Sequence, residues 1–440
     1  MVDLALRAHN HNWRMDPIVR SLLDTDFYKL MMGQFIWERY PMHQVTFGLK
    51  NRTKSVKLYG DGIIDTQELF AQLNHVRSLR FTNQELIWLA GNTFYGQERI
   101  FKPGYIDFLR GLKLPEYEVD STVEGDLVLT FTGPWMEVTF WEIYALTIVS
   151  ELKTRHALKE LSKFELDVTY ACAKSKLWGN LNKIKNAGVR GLSDMGTRRR
   201  HSFLFQEWAV NAAADVLGEG FIGTSNAYLA MKYGYDAIGT NAHELPMALA
   251  AIKASQGATD EEIRETQYDV LKGWQNEYKG NVLVALPDTF GTTQFLKDAP
   301  QYLSNWRGFR PDSKAPDVAT EELIAWWEKM GVDPKTKLVL YSDGLDADEI
   351  VRIWNRWNGI VQVGFGWGTN LTNDFRGCHP RGEHTLDPLS LVCKVLKADG
   401  HAAVKLSDNQ AKATGPAEEV ARYVRIFGSE GTIEGPTPLV

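Results

Sequence analysis

The chain has 440 residues, 44% of them hydrophobic and 24% charged, with a formal net charge of -6. That length exceeds one small core, so two domains, or one large barrel with an added domain, are expected; the composition excludes a largely disordered chain, and the charge excludes a general attraction to nucleic acid or anionic lipid. The three scattered cysteines, Cys172, Cys378 and Cys393, form neither a disulfide framework nor a CxxC pair, and no apolar run reaches the length of a membrane span, which together predict a cytoplasmic protein.

Residues 8–14, AHNHNWR, carry two histidines and read as a mobile leader rather than a metal site. The run LLDTDFYKLMMGQFIWERYP, 22–41, predicts a helix with Thr25 as its cap, Asp26 at the positive end of its dipole and Pro41 as its stop. A strand is expected at 43–51 and helices near 66–77, 83–91 and 103–112, while the alternation in EYEVDSTVEGDLVLTFTGP, 116–134, predicts a hairpin. PWMEVTFWEIYALTIVSEL, 134–152, predicts one long apolar helix with Pro134 in its first turn.

From about residue 185, short apolar runs alternate with helical segments. VRGLSD, EGFIGTSN, YDAIGTNA, NVLVALPD, RGFRPDS, KLVLYSDG and IVQVGFGWGTN are the strand candidates, with SLVCKVLKA as a possible eighth. The alternation predicts βα units and a parallel sheet, in number enough for a closed (β/α) barrel; an open doubly wound sheet has the same periodicity. The residues after these strands, Asp194, Thr224, Thr240, Asp288, Asp312, Ser342, Asp343 and Thr369, would ring the carboxyl end of a barrel, although each singly is a common turn former.

Three features carry chemistry. SDMGTRRRHS puts Arg198, Arg199, Arg200 and His201 at a helix start, where cations are unfavourable unless an anion offsets them, so an anion site is expected with Arg198 as the first candidate. The Gly-Thr pairs of GFIGTSN, DAIGTNA and FGWGTN suit a phosphate cradle, in which glycine admits a close approach and threonine supplies a hydroxyl and an N–H. His243, in GTNAHELP, has no partners at metal-ligand spacing, which disfavours zinc and predicts no protein metal site. Its remaining roles are a cap or a nucleophile, with Glu244 or Asp288 available to orient the ring.

Taken together, LLDTDFYKL, GPWMEV, GTRRRHS, GTSNAYLA, GTNAHE, YSDGLD and FGWGTNLTND resemble the nicotinate phosphoribosyltransferase family of type II phosphoribosyltransferases, in order from about residue 22 to 410. The resemblance implies an α/β fold: an irregular (β/α) barrel over 161–395, a mixed α/β domain over 1–160, and a segment 396–440 packing on that domain. It implies an ATP-coupled condensation of nicotinate with 5-phosphoribosyl 1-diphosphate to nicotinate mononucleotide and diphosphate in NAD biosynthesis, with Mg²⁺ as cofactor and a homodimer with shared sites. It further implies that His243 is transiently phosphorylated and that Thr240 and Arg310 contact nicotinate. Tyr28 would stack on the pyridine ring in the partner subunit's site, Thr369 would bind the phosphoribosyl donor, and Arg198, Thr224 and Asp312 complete the expected substrate contacts. One block departs from the family's R-x-D-S-G-D: here it reads Arg310-Pro311-Asp312-Ser313-Lys314-Ala315, and no role is carried to Lys314 or Ala315.

Overall fold

The computed structural model describes residues 16–435, so the leader expected at 8–14 lies outside the described residues. Two sheets organise the molecule. The first has five antiparallel strands in the order His401–Ala402, Leu391–Ala398, Gln44–Asn51, Leu127–Pro134 and Tyr117–Ser121. Its alternation sends Phe47, Leu129 and Phe131 into the core, while the hydroxyls of Thr46 and Thr132 meet on the opposite face at 3.0 Å. The expected hairpin is therefore present, as are the helices Thr66–Ser78, Asn83–Gly91 and Pro103–Gly111.

The first predicted helix forms over Phe27–Arg39, but Thr25 does not cap it. Asp26 occupies the cap position, and its carboxylate turns instead to Ser225 and Arg198. The reason is tertiary: Phe27 N–H donates to Ser225 O at 2.6 Å and Asp26 bridges Asn226, so this helix starts on a loop of the other domain. Pro134 ends a strand rather than opening a long helix, and the apolar run breaks into Trp135–Val138 and Trp141–Leu158. The longest helix among the described residues, Lys163–Asn186, is one that the periodicity above does not mark. It opens with a capping box in which Ser162 and Glu165 satisfy each other's backbone N–H groups.

The second sheet has six parallel strands in the order Phe221–Thr224, Leu192–Asp194, Gln362–Trp367, Leu338–Tyr341, Gly308–Phe309 and Val284–Ala285. Six of the seven strand candidates are thus strands, whereas YDAIGTNA contributes only a parallel bridge from Ala237 to Thr224 at one edge. A few residues on, the Asn241 side-chain amide donates to Val284 O at the other edge, 3.3 Å away, so the sheet curls until its edges face each other. The backbone ladder itself does not close there among the described residues.

The possible eighth strand is corrected. Leu391–Ala398 pairs antiparallel with Gln44–Asn51 in the first sheet, and its alternating burial suits a strand with one covered face. The 395 border therefore falls inside a strand of the other domain's sheet. The C-terminal segment divides as well: His401–Ala402 extends that sheet, while the helix Ala417–Phe427 packs on the helix Asp260–Glu277 and stacks Phe427 on Phe290 at 3.9 Å. One continuous apolar core joins both sheets.

Candidate active site

A cavity of about 570 Å³, a size typical of small-molecule sites, takes its walls from both sheets. Tyr28, Arg198, Thr240, His243, Arg310, Asp312 and Thr369 all line it, so the fold brings together seven of the eight sequence-predicted site residues. The eighth, Thr224, is corrected: it is fully buried behind the wall, donates to Asp194 Oδ2 at 2.7 Å and accepts from Asn226 N–H. It braces a turn. Burial pushes the Asp194 carboxyl up to about 6, against the hydrogen bonds from Thr224, Gly196 and Gln206.

The glycines of the first two Gly-Thr turns also differ from expectation. A Cβ on Gly223 would stand 2.2 Å from Asp236 O, and one on Gly239 would stand 2.8 Å from Tyr28 N. These glycines admit protein rather than ligand, and the second lets the start of helix Phe27–Arg39 settle onto the rim of the parallel sheet. That contact places Tyr28 on the wall of the cavity of its own chain.

The three arginines diverge. They lie in a short 3-10 turn, Thr197–Arg199, and its exit rather than in the helix, which Ser202 caps. Arg200 is fully buried and holds Asp24 through two bonds of 2.7 and 2.8 Å. Arg198 faces the cavity, paired with Asp26 at 3.3 Å and Glu142 at 3.6 Å, its guanidinium 5.9 Å from the centre of the Tyr28 ring. Arg199 also reaches the cavity, and burial, with Arg198 and Arg52 beside it, pushes it down to about 10. His201 turns away and stacks on Phe375 at 3.5 Å.

His243 stands just before the helix Glu244–Ser255 and supplies no side-chain cap. Its Nδ1 lies 2.9 Å from Thr289 Oγ1; its Nε2 lies 2.9 Å from Lys405 Nζ, 3.3 Å from Asp312 Oδ2 and 3.7 Å from Asp288 Oδ1. Lys405 donating to Nε2 requires the ring proton on Nδ1, where Thr289 accepts it. Burial first, and the Lys405 charge second, push the imidazole down to about 4, against the pull of Asp288 and Asp312. The ring is therefore neutral at physiological pH. Burial alone would raise Asp312, but the charges of the Arg310 guanidinium and the Lys405 ammonium hold that carboxyl well below the usual range. Glu244 does not orient the ring: it accepts from Trp135 Nε1 at 2.7 Å and from Lys29.

Arg310 is fixed by Asp312 Oδ1 at 3.3 Å, Ser342 at 3.2 Å and the Asn241 carbonyl at 3.1 Å. Lys314, at the departing block, points out of the site and binds Glu322 at 2.8 Å and Thr293 at 2.9 Å. Ser313 keeps a place behind the wall, donating to Asp288 Oδ2 at 2.6 Å.

Several lining groups escape the sequence reading: Arg52, Lys394, Lys405 and Lys412, from the segments 51–53 and 390–412. Burial, then Lys405 and Arg52, hold Lys394 far below the ordinary lysine range. Cations crowded this closely repel one another and favour a bound polyanion. Lys405 interrupts an apolar run, AAVKL, which is the one signal that could have found it. His243, Asp288 and Asp312 also offer ligand atoms within 4.8 Å of one another, a candidate cation site that residues 45 and 69 positions past the histidine cannot display as a spacing motif. No helix among the described residues is long and apolar enough to cross a membrane.

Comparison with known proteins agrees with this geometry. Residues 191–429 match the model of the nicotinate phosphoribosyltransferase (NAPRTase) family, and residues 23–150 match that of its N-terminal domain. Among solved structures, the nicotinate phosphoribosyltransferase of Vibrio cholerae is 29% identical, with a TM-score of 0.83 over 94% of each chain. That of Porphyromonas gingivalis is 27% identical, with a TM-score of 0.82 over 93% of this chain and all of the other. A protein of Saccharomyces cerevisiae described by the same activity is 28% identical, with a TM-score of 0.80 over 94% of this chain and 99% of its own. The chain therefore belongs to the nicotinate phosphoribosyltransferase family.

Proposed function

We propose that the chain condenses nicotinate with 5-phosphoribosyl 1-diphosphate to nicotinate mononucleotide and diphosphate, and couples this step to ATP hydrolysis through a phosphoryl group carried on His243. The observation that carries the reading is a neutral, largely buried imidazole sharing one cavity with Arg310, Thr369, Tyr28 and a bank of cations.

The ring nitrogen of nicotinate attacks C1 of the ribose as the bond from C1 to the diphosphate oxygen breaks, and that oxygen leaves with the electron pair. No protein base is needed, because the pyridine nitrogen already carries a free lone pair. Tyr28 offers an aromatic face to the ring, and Arg310 a guanidinium to its carboxylate. Arg52, Arg199, Lys394 and Lys412 answer the negative charge that grows on the leaving diphosphate.

In the coupled step, the lone pair of His243 takes the γ-phosphoryl of ATP and releases ADP; water later cleaves the phosphohistidine to phosphate. A phosphoryl group on the ring would displace the hydrogen bond from Lys405 to Nε2 and draw that ammonium to its own oxygens. Mg²⁺ suits the hard oxygens of Asp312 and of Asp288, whose Oδ1 is buried without a hydrogen-bond partner. Bound there, it would offset phosphate charge.

The test mixes the protein with nicotinate, 5-phosphoribosyl 1-diphosphate and Mg²⁺, with and without ATP, and assays nicotinate mononucleotide. Product that rises with ATP supports the reading, and no product under either condition refutes it. Incubation with γ-labelled ATP should leave an acid-labile, base-stable label that His243→Ala abolishes; label retained by that variant would refute the phosphohistidine.

A further inference from the structure

The cavity does not end at the reaction centre. Residues at the amino ends of the parallel strands line it too: Ile222, Asn281, Arg307 and Gln362 belong to the same space as His243 and Thr369. Ile222 is 41% exposed, and Asn281 and Asp236 at this end are also exposed, so the space meets solvent here. At the carboxyl end it meets solvent again beside the exposed Asp343 and Gly344. The cavity thus has two mouths.

Composition explains why the barrel is hollow. Barrel interiors of this kind normally fill with layers of bulky branched side chains. Here Leu338 and Leu340 face inward from one strand, but the next strand contributes Gly364 and the one beyond it Ser193. A Cβ on Gly364 would stand 3.2 Å from Leu338 Cδ1 and 3.3 Å from Leu340 Cδ1, so this position faces the interior and any side chain there would narrow it. The walls are mainly apolar, and the amino-end rim carries one cation, Arg307, and one carboxylate, Asp236.

The two mouths differ in charge. Arg52, Lys394 and Lys412 gather near the carboxyl end, where a sugar bearing three phosphates would be held and would obstruct that opening. The amino-end mouth then remains as the way to the ring site for a flat, singly charged heteroaromatic acid. We propose that the barrel interior is a second route to the reaction centre, through which the pyridine acid enters while the phosphosugar occupies the cationic mouth. This rests on the function proposed above.

The experiment narrows the amino-end mouth at exposed positions, with Ile222→Trp and Asn281→Trp, and uses thermal unfolding to check that each variant folds. Rapid mixing measures the association rate of labelled nicotinate, with and without saturating 5-phosphoribosyl 1-diphosphate, and steady-state kinetics give kcat/KM for each substrate. The expected result is a loss of at least about tenfold in nicotinate association when the donor is present, a parallel loss in its kcat/KM, and no change in kcat/KM for the donor. An unchanged nicotinate association rate in both variants would overturn the proposal, as would equal losses for the two substrates. A wild-type protein that forms no product would refute the assigned reaction instead, and the binding rates would still decide the route.

Discussion

The protonation state of His243 decides what that residue can do. An ordinary histidine charges near pH 6.5, whereas burial and Lys405 hold this one to about 4. Labelling by γ-labelled ATP should therefore change by no more than about twofold between roughly pH 8 and 5.5, and a loss centred near 6.5 would show a ring that is not held neutral. The same shift has a sign for stability. Between the folded value of about 4 and the unfolded 6.5, the folded chain binds fewer protons, so the contribution of His243 is full above that window and falls as the pH drops through it. Asp194, raised to about 6, carries the opposite sign: its contribution is full below the unfolded carboxyl value and is lost as the pH rises through about 6. At the substrate carboxylate, Arg310→Ala should weaken nicotinate binding by about 1.5–3 kcal/mol and leave nicotinamide binding nearly unchanged. Equal losses in a calorimetric titration would exclude the carboxylate contact.

Elements are joined here by buried polar groups that the sequence shows only as isolated charges. The turn Thr197–Arg199 is locked because Arg200 reaches Asp24 and the Ile18 carbonyl from its far end. Arg200→Met would leave the Asp24 carboxylate buried without its cation and should cost about 3–5 kcal/mol, read from denaturant unfolding. A midpoint shift no larger than that of Arg190→Met, an exposed arginine, would contradict the role. The helix Phe27–Arg39 is tied in the same manner by Lys29, which is fully buried between Glu142 and Glu244. This pairing draws Glu244 away from its neighbour His243 and leaves the ring to Thr289 and Lys405.

Across the whole molecule, the two sheets are not independently folding halves. Leu391–Ala398, from near the end of the chain, lies beside Gln44–Asn51 in the first sheet, and the apolar core is continuous through both. Residues 161–440 expressed alone would expose the edge of Leu391–Ala398 and lose the wall that carries Tyr28, so that fragment should be insoluble or lack cooperative unfolding by circular dichroism. A soluble fragment with a sharp transition would show that the halves fold separately.

Local patterning was enough to place most elements: period-two alternation marked the hairpin at 116–134, and apolar runs bounded by polar turns marked six of the parallel strands, because these signals depend on neighbours in the chain. The motifs likewise marked His243, Arg198, Arg310 and Thr369, and all four line the cavity. Partner choice was not legible. Whether Leu391–Ala398 joins the barrel or the other sheet, whether Glu244 or Thr289 meets the imidazole, and whether Thr224 faces a ligand or Asp194 depend on groups tens to hundreds of residues apart. The sequence by itself therefore determined the kinds of element and the chemical groups at their ends, because periodicity and turn chemistry are local. Only the tertiary structure decided which of those groups share a cavity and which are buried as braces, because burial and charge pairing arise when distant segments pack.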